Sequence, residues 1–496
     1  MESLTKKTAL GAAWMMFSKL AIRFIGLIST LILVRLLSPE DFGIAAMAMT
    51  VVAMVELLTT FGFDIAIIQN QNANDDDYNT AWTMNVILGL SAATLLMLLA
   101  YPAAQFYERP ELVPIYFVLS LATIFQGLQN IGLVDFRKNL TFEKEFAFLV
   151  SVKMAAFVIT LTIAFLLRSY WALVIGIVVS RFAATCLSYW AHPFRPRFSL
   201  AALDRIMNFS KWLFLNNMVN MFRQVGPELV IGRISGARGL GLFRIAYEIS
   251  NLPTTELIAP ANRALLPGFS KISHDMERAG RQFLRIAGIL SLLSLPTGFG
   301  IAVTASLFTP IVLGDGWLST IPLIQVLAIF GAISAIQSPI ATVLIAIGKP
   351  KYVSLMSLAQ LFVMMPLLVY MNMKAGVLGA AIALLLTACL SMPVYFILAA
   401  RQLNIRLGAF VRVICNPLLA TLVMYMAVTQ MLPKLDANIL DLTLASASGA
   451  LVYIAGVLIL WLATGRRKDS AEYEILTVGL GLAQKARKKL LRSSPE

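Results

Sequence analysis

The residues most capable of chemistry in this sequence are cations set inside long apolar segments. Lys19 and Arg23 are four residues apart, so a helix places them on one face. Asn216, Asn220 and Arg223 are spaced by four and three and form a second polar stripe. Such side chains are costly within lipid unless they face a hydrated cavity or each other. Guanidinium and ammonium groups in a cavity would hold an anion, and pyrophosphate suits them well.

A second set of ionisable residues lies in neighbouring apolar segments. Arg244 is predicted to join the substrate-binding cations, although Glu248 follows four residues later and a purely structural ion pair is an equal alternative. Glu56, Asp64 and Glu256 are carboxylates that could bind a proton or a sodium ion. The two sets together predict a cavity lined by the first two helices of each half of the chain.

The composition requires that these residues be positioned by a membrane protein. Of the 496 residues, 59% are hydrophobic and 13% are charged, whereas a soluble domain has about half and about a quarter. Apolar runs such as 82–99 approach the length of about 20 residues that crosses the hydrocarbon core as a helix. Barrel strands would instead alternate in hydrophobicity. The sequence therefore predicts an all-α polytopic membrane protein.

Hydropathy and charge together predict about fourteen transmembrane helices. The predicted spans are roughly 8–37, 41–69, 79–100, 112–134, 146–167, 170–191, 207–233, 240–268, 282–313, 317–347, 351–372, 376–400, 408–431 and 440–463. With this count, one side of the membrane carries twenty-four lysines and arginines in its loops and termini, against five on the other. The positive-inside rule then places both termini in the cytoplasm of a bacterial inner membrane.

An internal repeat divides the chain. At an offset of 198 the sequence repeats three residues at identical spacing: Trp14, Arg35 and Gly43 against Trp212, Arg233 and Gly241. Six helices per repeat give both copies one orientation, the parallel-repeat arrangement of transporters. We expect an N-terminal lobe (1–205) and a C-terminal lobe (206–403), each of six helices, around a central cavity. Two further helices (404–463) and a basic cytoplasmic tail (464–496) follow, and the tail either docks on anionic lipid or is disordered.

Several functional classes are disfavoured by what the sequence lacks. It has no Walker-type phosphate loop and no constellation for nucleophilic catalysis, and its two histidines make a histidine metal site improbable. We therefore expect neither an enzyme nor a cofactor. The net charge of +14 comes from residues between apolar runs, which indicates orientation and anionic lipid rather than nucleic acid.

Three segments resemble a known family. Residues 33–43 (LVRLLSPEDFG) resemble the N-terminal hallmark of the polysaccharide transporter family, which includes the Wzx-type oligosaccharide flippases. The loop 136–142 (FRKNLTF) is similar to a second common segment, and 231–233 with 239–247 to a third. The family belongs to the multidrug/oligosaccharidyl-lipid/polysaccharide exporter superfamily. The likeness covers roughly residues 1–400 and looks most like the exopolysaccharide branch, of the colanic acid or succinoglycan type.

The resemblance implies a specific activity. It implies alternating-access translocation of an undecaprenyl-pyrophosphate-linked repeat unit, for exopolysaccharide, O-antigen or capsule assembly, beside a polymerase or export machinery. Lys19, Arg23 and Arg223 are the positions that could contact the pyrophosphate. Two alternatives remain open: a cation-coupled multidrug exporter of the same superfamily, and a membrane scaffold without transport of its own.

Overall fold

The computed structural model describes residues 2–59, 63–70, 72–253, 265, 269–272, 274–463 and 473, without the side chains of 2–13, 58–59, 69, 204–224, 253 and 434. Within that part of the chain the secondary structure is helical and contains no strand. Two compact units divide the chain, residues 1–242 and 243–496. The predicted all-α fold is confirmed, while the lobe boundaries at 205 and 403 stay a prediction.

Unit 1 is built from eight helices and most of a ninth. They are α1 (Glu2–Leu36), α2 (Pro39–Thr59), α3 (Phe63–Gln69), α4 (Asp75–Tyr107), α5 (Leu112–Gly127), α6 (Val134–Lys138), α7 (Phe142–Leu167), α8 (Trp171–Ala191) and α9 (Leu203–Pro253), which continues past residue 242. Asn74 caps α4 by accepting a hydrogen bond from the Asp77 amide, while the Asp77 carboxylate accepts one from the Asn74 amide. This reciprocal cap fixes where α4 begins.

Unit 2 continues with five long helices around an apolar core. They are α10 (Met276–Phe308), α11 (Ile321–Ala346), α12 (Pro350–Leu403), α13 (Leu407–Met431) and α14 (Ile439–Ala463). Phe283, Phe396 and Phe410 pack together where α10, α12 and α13 meet. The amide of Gln337 donates to the Ala388 carbonyl at 2.7 Å, which satisfies a buried polar side chain of α11.

Nine helices in the described part of the chain are long and apolar enough to cross a membrane, or ten if α5 and the bent segment that follows it form one span. The sequence predicts loops between the spans that end at 233 and 372 and the spans that follow them. The structure interrupts the helix at both places, but each interruption is shorter than the predicted loop. The helical backbone of α9 is interrupted at Gly236, and that of α12 at Ala375 and Gly376. Gly236 has φ of 68°, a left-handed conformation that glycine adopts without strain. Divided at these breaks, the helices agree with the fourteen predicted spans.

The repeat-related glycines meet at one end of unit 1. A Cβ atom on Gly43 of α2 would lie 1.7 Å from the carbonyl oxygen of Ala237. A Cβ on Gly241 of α9 would lie 1.8 Å from the carbonyl oxygen of Pro39. Both obstacles are backbone atoms, which cannot rotate away as a side chain can. The glycines that reveal the repeat in the sequence therefore allow α2 and α9 to touch, and we call this contact the glycine crossing.

Ion pairs surround the glycine crossing. The guanidinium of Arg109 lies 2.8 Å from the Glu40 carboxylate, and that of Arg233 lies 2.7 Å from Glu108. The Asp41 carboxylate accepts a hydrogen bond of 2.8 Å from the backbone N–H of Tyr170. Arg233, one of the repeat-related residues, is thus paired with a carboxylate. These contacts join the loops of unit 1 at the end opposite to the start of α4.

The segment 192–202, which precedes α9, is bound along the first turns of α4. The backbone N–H of Ser199 donates to the Thr83 hydroxyl at 3.0 Å, and that of Ala202 to the Thr80 hydroxyl at 3.1 Å. Phe198 packs on Trp82 with ring centroids 4.9 Å apart. We call this segment the strap. The lobe boundary that the sequence predicts at 205 follows the strap closely, but the attachment of the strap to α4 was not predicted.

The strap begins at His192, whose side chain is held against α6. Burial lowers the pKa of the His192 imidazole, an effect that the nearby Asp135 carboxylate opposes. The His192 Nε2 and Asp135 Oδ2 atoms are 3.4 Å apart. Asn130 adds a hydrogen bond of 2.8 Å from its amide to the Phe194 carbonyl. The strap is therefore held from both α4 and the α5–α6 connection.

We expect the double variant Thr80→Val, Thr83→Val to loosen the strap. Valine keeps the shape of threonine but leaves the two backbone N–H groups unbonded, at a cost of about 1–3 kcal/mol for each buried group. Hydrogen exchange at Ser199 and Ala202 should accelerate in the purified protein. Thr94→Val is the matched control, because in the described part of the chain the Thr94 hydroxyl donates to the Leu90 carbonyl of its own helix and to no other group. Unchanged exchange at both amides in the double variant would contradict this account of the strap.

Candidate functional site

A polar cavity of about 440 Å³ lies inside unit 1, at the end where α4 and α7 begin and α5 ends. Its walls come from α2 to α7 and the connection between α5 and α6. The polar residues that line it are Glu56, Asp64, Asn85, Thr123, Gln126, Gln129, Asn130, Arg137 and Glu145. In a chain with only 13% charged residues, such a concentration of polar groups marks a candidate binding site.

A close crossing of α4 and α5 builds one wall of the cavity. A Cβ atom on Gly89 would lie 2.9 Å from the Thr123 carbonyl oxygen, and one on Gly127 would lie 2.6 Å from the Asn85 carbonyl oxygen. Small residues let helix backbones approach closely in membranes. The two glycines therefore fix α4 against α5 beside Asn85, whose side chain is among those that line the cavity.

Both described carboxylates that were predicted for ion coupling line this cavity, and each is paired with an arginine. The Glu56 carboxylate lies 3.2 Å from the Arg181 guanidinium of α8. The Asp64 carboxylate lies 3.7 Å from the guanidinium of Arg137. Arg137 also contacts the Glu145 carboxylate at 2.6 Å, which makes a three-residue charge cluster. Glu56 and Asp64 thus line the same cavity, where a cation would have to compete with two guanidinium groups, and their role in ion coupling stays a prediction.

The amide side chains of the cavity differ in how they are used. Asn130 is almost fully buried, and its side-chain oxygen accepts the Gly132 N–H at 2.9 Å while its nitrogen donates to the strap. Within the described residues, the side chains of Asn85, Gln126 and Gln129 make no hydrogen bond to another protein group. Asn130 is therefore structural, whereas the other three amides keep donors and acceptors for water or a ligand.

The predicted cations of α1 lie beside α7. The Lys19 side chain is exposed and that of Arg23 is half-buried. A Cβ atom on Gly26, one turn beyond Arg23, would lie 3.8 Å from the Lys153 Nζ atom of α7. Phe146 of α7 packs against Trp14 with ring centroids 5.2 Å apart. A cationic face of α1 is therefore extended by a lysine from α7.

The remaining predicted residues either belong to unit 2 or have side chains outside the described part of the chain. Arg244 is half-buried in unit 2. The side chains of Asn216, Asn220 and Arg223 are outside the described residues, as is the whole of Glu256. That these residues join Lys19 and Arg23 around one cavity stays a prediction.

Sequence reasoning missed the free amides and the partner of each acid. Asn85 interrupts an apolar span, which is a recognisable signal for a membrane site. Gln126 and Gln129 follow an apolar stretch near a helix end, where polar residues are ordinary. Nothing in the sequence indicates that Arg181 pairs with Glu56, because 125 positions separate them.

A family model and two known proteins that match this chain all carry names from polysaccharide biosynthesis. A family model described as "Polysaccharide biosynthesis protein" matches residues 32–322. The chain is 28% identical to the lipopolysaccharide biosynthesis protein WzxC of Escherichia coli (strain K12), over 77% of this chain and 79% of the relative. It is 22% identical to the succinoglycan biosynthesis transport protein ExoT of Rhizobium meliloti (strain 1021), over 92% and 93%.

A solved structure has a similar fold. The lipid II flippase MurJ, in an inward closed conformation, aligns with a TM-score of 0.72 at 15% identity, over 92% of this chain and 99% of that one. Because the sequence identity is only 15%, this similarity indicates a shared fold and nothing about function.

Proposed function

The chain belongs to the family of polysaccharide biosynthesis proteins, and from that premise we propose that it is a flippase for a lipid-linked oligosaccharide. It is a multi-pass membrane protein, and the sequence resemblance to the polysaccharide transporter family is confirmed. The cargo is an undecaprenyl-pyrophosphate-linked repeat unit, destined for exopolysaccharide, O-antigen or capsule. It moves from the cytoplasm to the periplasm across the inner membrane. Two relatives support this proposal, one a lipopolysaccharide biosynthesis protein and the other a succinoglycan biosynthesis transport protein.

The observation that carries the proposal is the cationic face of α1. Arg23 is half-buried in an apolar span, Lys19 lies one turn before it, and Lys153 of α7 approaches one turn after it. Cations at such positions are retained when they contact a partner in a hydrated site. A pyrophosphate offers several anionic oxygens to these groups. The face thus suits the anionic headgroup of a lipid carrier better than a neutral or cationic compound.

The proposed cycle is alternating access between the two repeats. Lys19, Arg23 and Arg223 hold the pyrophosphate, while Asn216, Asn220 and Arg244 contact polar groups of the same cargo. Parallel repeats support a rocking motion around a site near the middle of the membrane. The excess of lysine and arginine on one side supports cytoplasmic termini and cargo loading from that side. A polymerase or export machinery would receive the translocated unit.

The alternative, a cation-coupled multidrug exporter, requires a carboxylate that can bind a cation. Glu56 and Asp64 line one cavity, which is the observation in its favour. Both carboxylates are paired with arginines, and the cationic face of α1 would repel a cationic drug. Loss of drug resistance with normal polymer in a deletion strain would favour this alternative.

Neutralising the cations tests the flippase. We expect Arg23→Gln and Arg223→Gln each to lower polymer yield at least about tenfold, because a hydrogen bond to a charged group contributes about 1.5–3 kcal/mol. The yield is measured in a strain whose polymer depends on this protein, together with the amount of protein in the membrane. Arg278→Gln, an exposed arginine near the start of α10, is the matched control. Normal polymer from both variants would remove the basis of the cavity assignment.

A further inference from the structure

We propose that the cavity of unit 1 is a carbohydrate subsite, which binds sugar hydroxyl groups of the cargo through Asn85, Gln126 and Gln129. This inference rests on the proposed function and adds a second contact region to it. The cations of α1 would hold the pyrophosphate, and the amides of the cavity would hold part of the glycan. The cavity lies inside unit 1; Glu56 and Asp64, which were predicted for the central cavity, line it, whereas Asn85, Gln126 and Gln129 were not predicted as site residues.

The chemistry of the lining fits a sugar. A side-chain amide offers a carbonyl acceptor and two N–H donors, and a sugar hydroxyl is likewise both donor and acceptor. Within the described residues the three amides are not used by the protein itself, unlike Asn130. Phe148 of α7 also lines the cavity and is half-buried. An aromatic face beside polar groups can pack on the C–H face of a sugar ring while the amides contact its hydroxyl groups.

The charge distribution in the cavity favours a neutral ligand group. Its carboxylates Glu56, Asp64 and Glu145 are each within 4 Å of a guanidinium, at 3.2 Å, 3.7 Å and 2.6 Å, and Asp64 and Glu145 share the guanidinium of Arg137. A free anion or cation would have to displace one of these partners. A hydroxyl group has no charge to neutralise and can accept or donate beside an existing ion pair. The paired charges therefore suit the uncharged part of the cargo rather than its pyrophosphate.

The size of the cavity limits what it binds. Its volume of about 440 Å³ falls within the range of about 300–1,000 Å³ that is usual for small-molecule sites. That volume suits a mono- or disaccharide rather than an entire repeat unit with its lipid. The subsite would therefore bind only part of the glycan. The sugars that fit it would determine which repeat units the protein accepts.

The position of the cavity fits the loading side. Asn85 is ten residues into α4, so it lies about 15 Å from the start of that helix. The charge cluster of Asp64, Arg137 and Glu145 lies nearer the loops, and because the side chains of Arg137 and Asp64 are 50% and 42% exposed, we take it as the mouth of the cavity. The charge rule assigns this end of unit 1 to the cytoplasm. A glycan presented from the cytoplasm would meet the mouth first and the amides deeper in.

Binding of two probes by the full-length protein in lipid nanodiscs tests the inference. One probe is the intact lipid-linked repeat unit, extracted from a polymerase-deficient strain of the host, and the other is undecaprenyl pyrophosphate. The variants are Asn85→Leu, Gln126→Met and Gln129→Met, which keep size and remove the amide. Gln105→Met is the matched control, since Gln105 is exposed at the far end of α4.

We expect each amide variant to bind the intact unit about fivefold more weakly, the loss that one net hydrogen bond gives. Its binding of undecaprenyl pyrophosphate should equal that of the parent and of Gln105→Met. Arg23→Gln should weaken both probes, because its contact is with the part that they share. This contrast separates a glycan contact from a general loss of structure.

Two different results would overturn two different statements. If the parent binds the intact unit no more tightly than undecaprenyl pyrophosphate, or if the amide variants bind both probes as the parent does, the cavity holds only water. The flippase proposal would then stand without the subsite. If the parent binds neither probe, the proposed function itself is wrong.

Discussion

Replacing Gly43 by alanine should abolish polymer production and destabilise the protein by at least about 3 kcal/mol, the upper part of the usual cost of overpacking. The added Cβ atom would lie 1.7 Å from the Ala237 carbonyl oxygen, so α2 and α9 would have to separate at the glycine crossing. Gly241→Ala should behave alike, because its Cβ would lie 1.8 Å from the Pro39 carbonyl oxygen. Thermal unfolding in detergent and polymer yield measure the two effects.

Gly300→Ala is the matched control for both glycines. Gly300 lies inside α10, and among the described residues no atom beyond its own chain neighbours and helix backbone lies within 4 Å of its Cβ position. Alanine there should leave stability unchanged or raise it by up to about 1 kcal/mol, because glycine is a poor helix former.

The double variant Gly43→Ala, Gly241→Ala should cost less than the sum of the single variants. A Cβ on Gly241 would also lie 2.9 Å from the Gly43 nitrogen, so a single separation of the helices relieves both clashes. A Gly43→Ala protein that unfolds at the temperature of Gly300→Ala would show that the two helices do not touch here.

Arg181→Met should lower the apparent free energy of unfolding by about 2 kcal/mol. Removing one partner leaves the Glu56 carboxylate without the guanidinium that lies 3.2 Å away, which is costly for a partly buried charge. The cost should stay below that of a fully buried pair, because the two side chains are 38% and 25% exposed. Thermal or denaturant unfolding in detergent measures it.

The double variant Arg181→Met, Glu56→Met should recover most of that stability. Two apolar side chains of similar size replace two charges, and such exchanges are often neutral. Arg281→Met is the comparison, because its pair with Glu277 is highly exposed and should contribute at most about 1 kcal/mol. A double variant as unstable as Arg181→Met would mean that the pair is not the relevant contact.

Hydropathy and charge were sufficient to predict the helical membrane fold, because lipid leaves few options for a backbone that must satisfy its own hydrogen bonds. The spacing of Gly43 and Gly241 also singled out residues that the structure brings together. At Gly236 and Gly376 the sequence predicted longer loops between two helices. The structure needs only a short interruption, because one glycine in a left-handed conformation is enough to change the direction of a helix.

The cavity could be predicted only in part. Asn85, Glu56 and Asp64 are visible as polar residues in apolar spans, but which face of each helix meets which neighbour depends on helix rotation. That rotation is set by contacts such as Gly89 on Thr123 and Gly127 on Asn85, which join positions about forty residues apart. The pairing of Arg181 with Glu56 follows from the same packing and has no local signal.

The strap also constrains how this protein can be engineered. A junction between two repeats is the usual place to cut a chain for split reporters, tags or circular permutation, because such connections are normally loose. Here a cut or insertion within 192–202 would release the Ser199 and Ala202 amides from α4 and would damage unit 1. The connection between α13 and α14, where Asp436 and Asn438 are exposed, is the better point for such a modification.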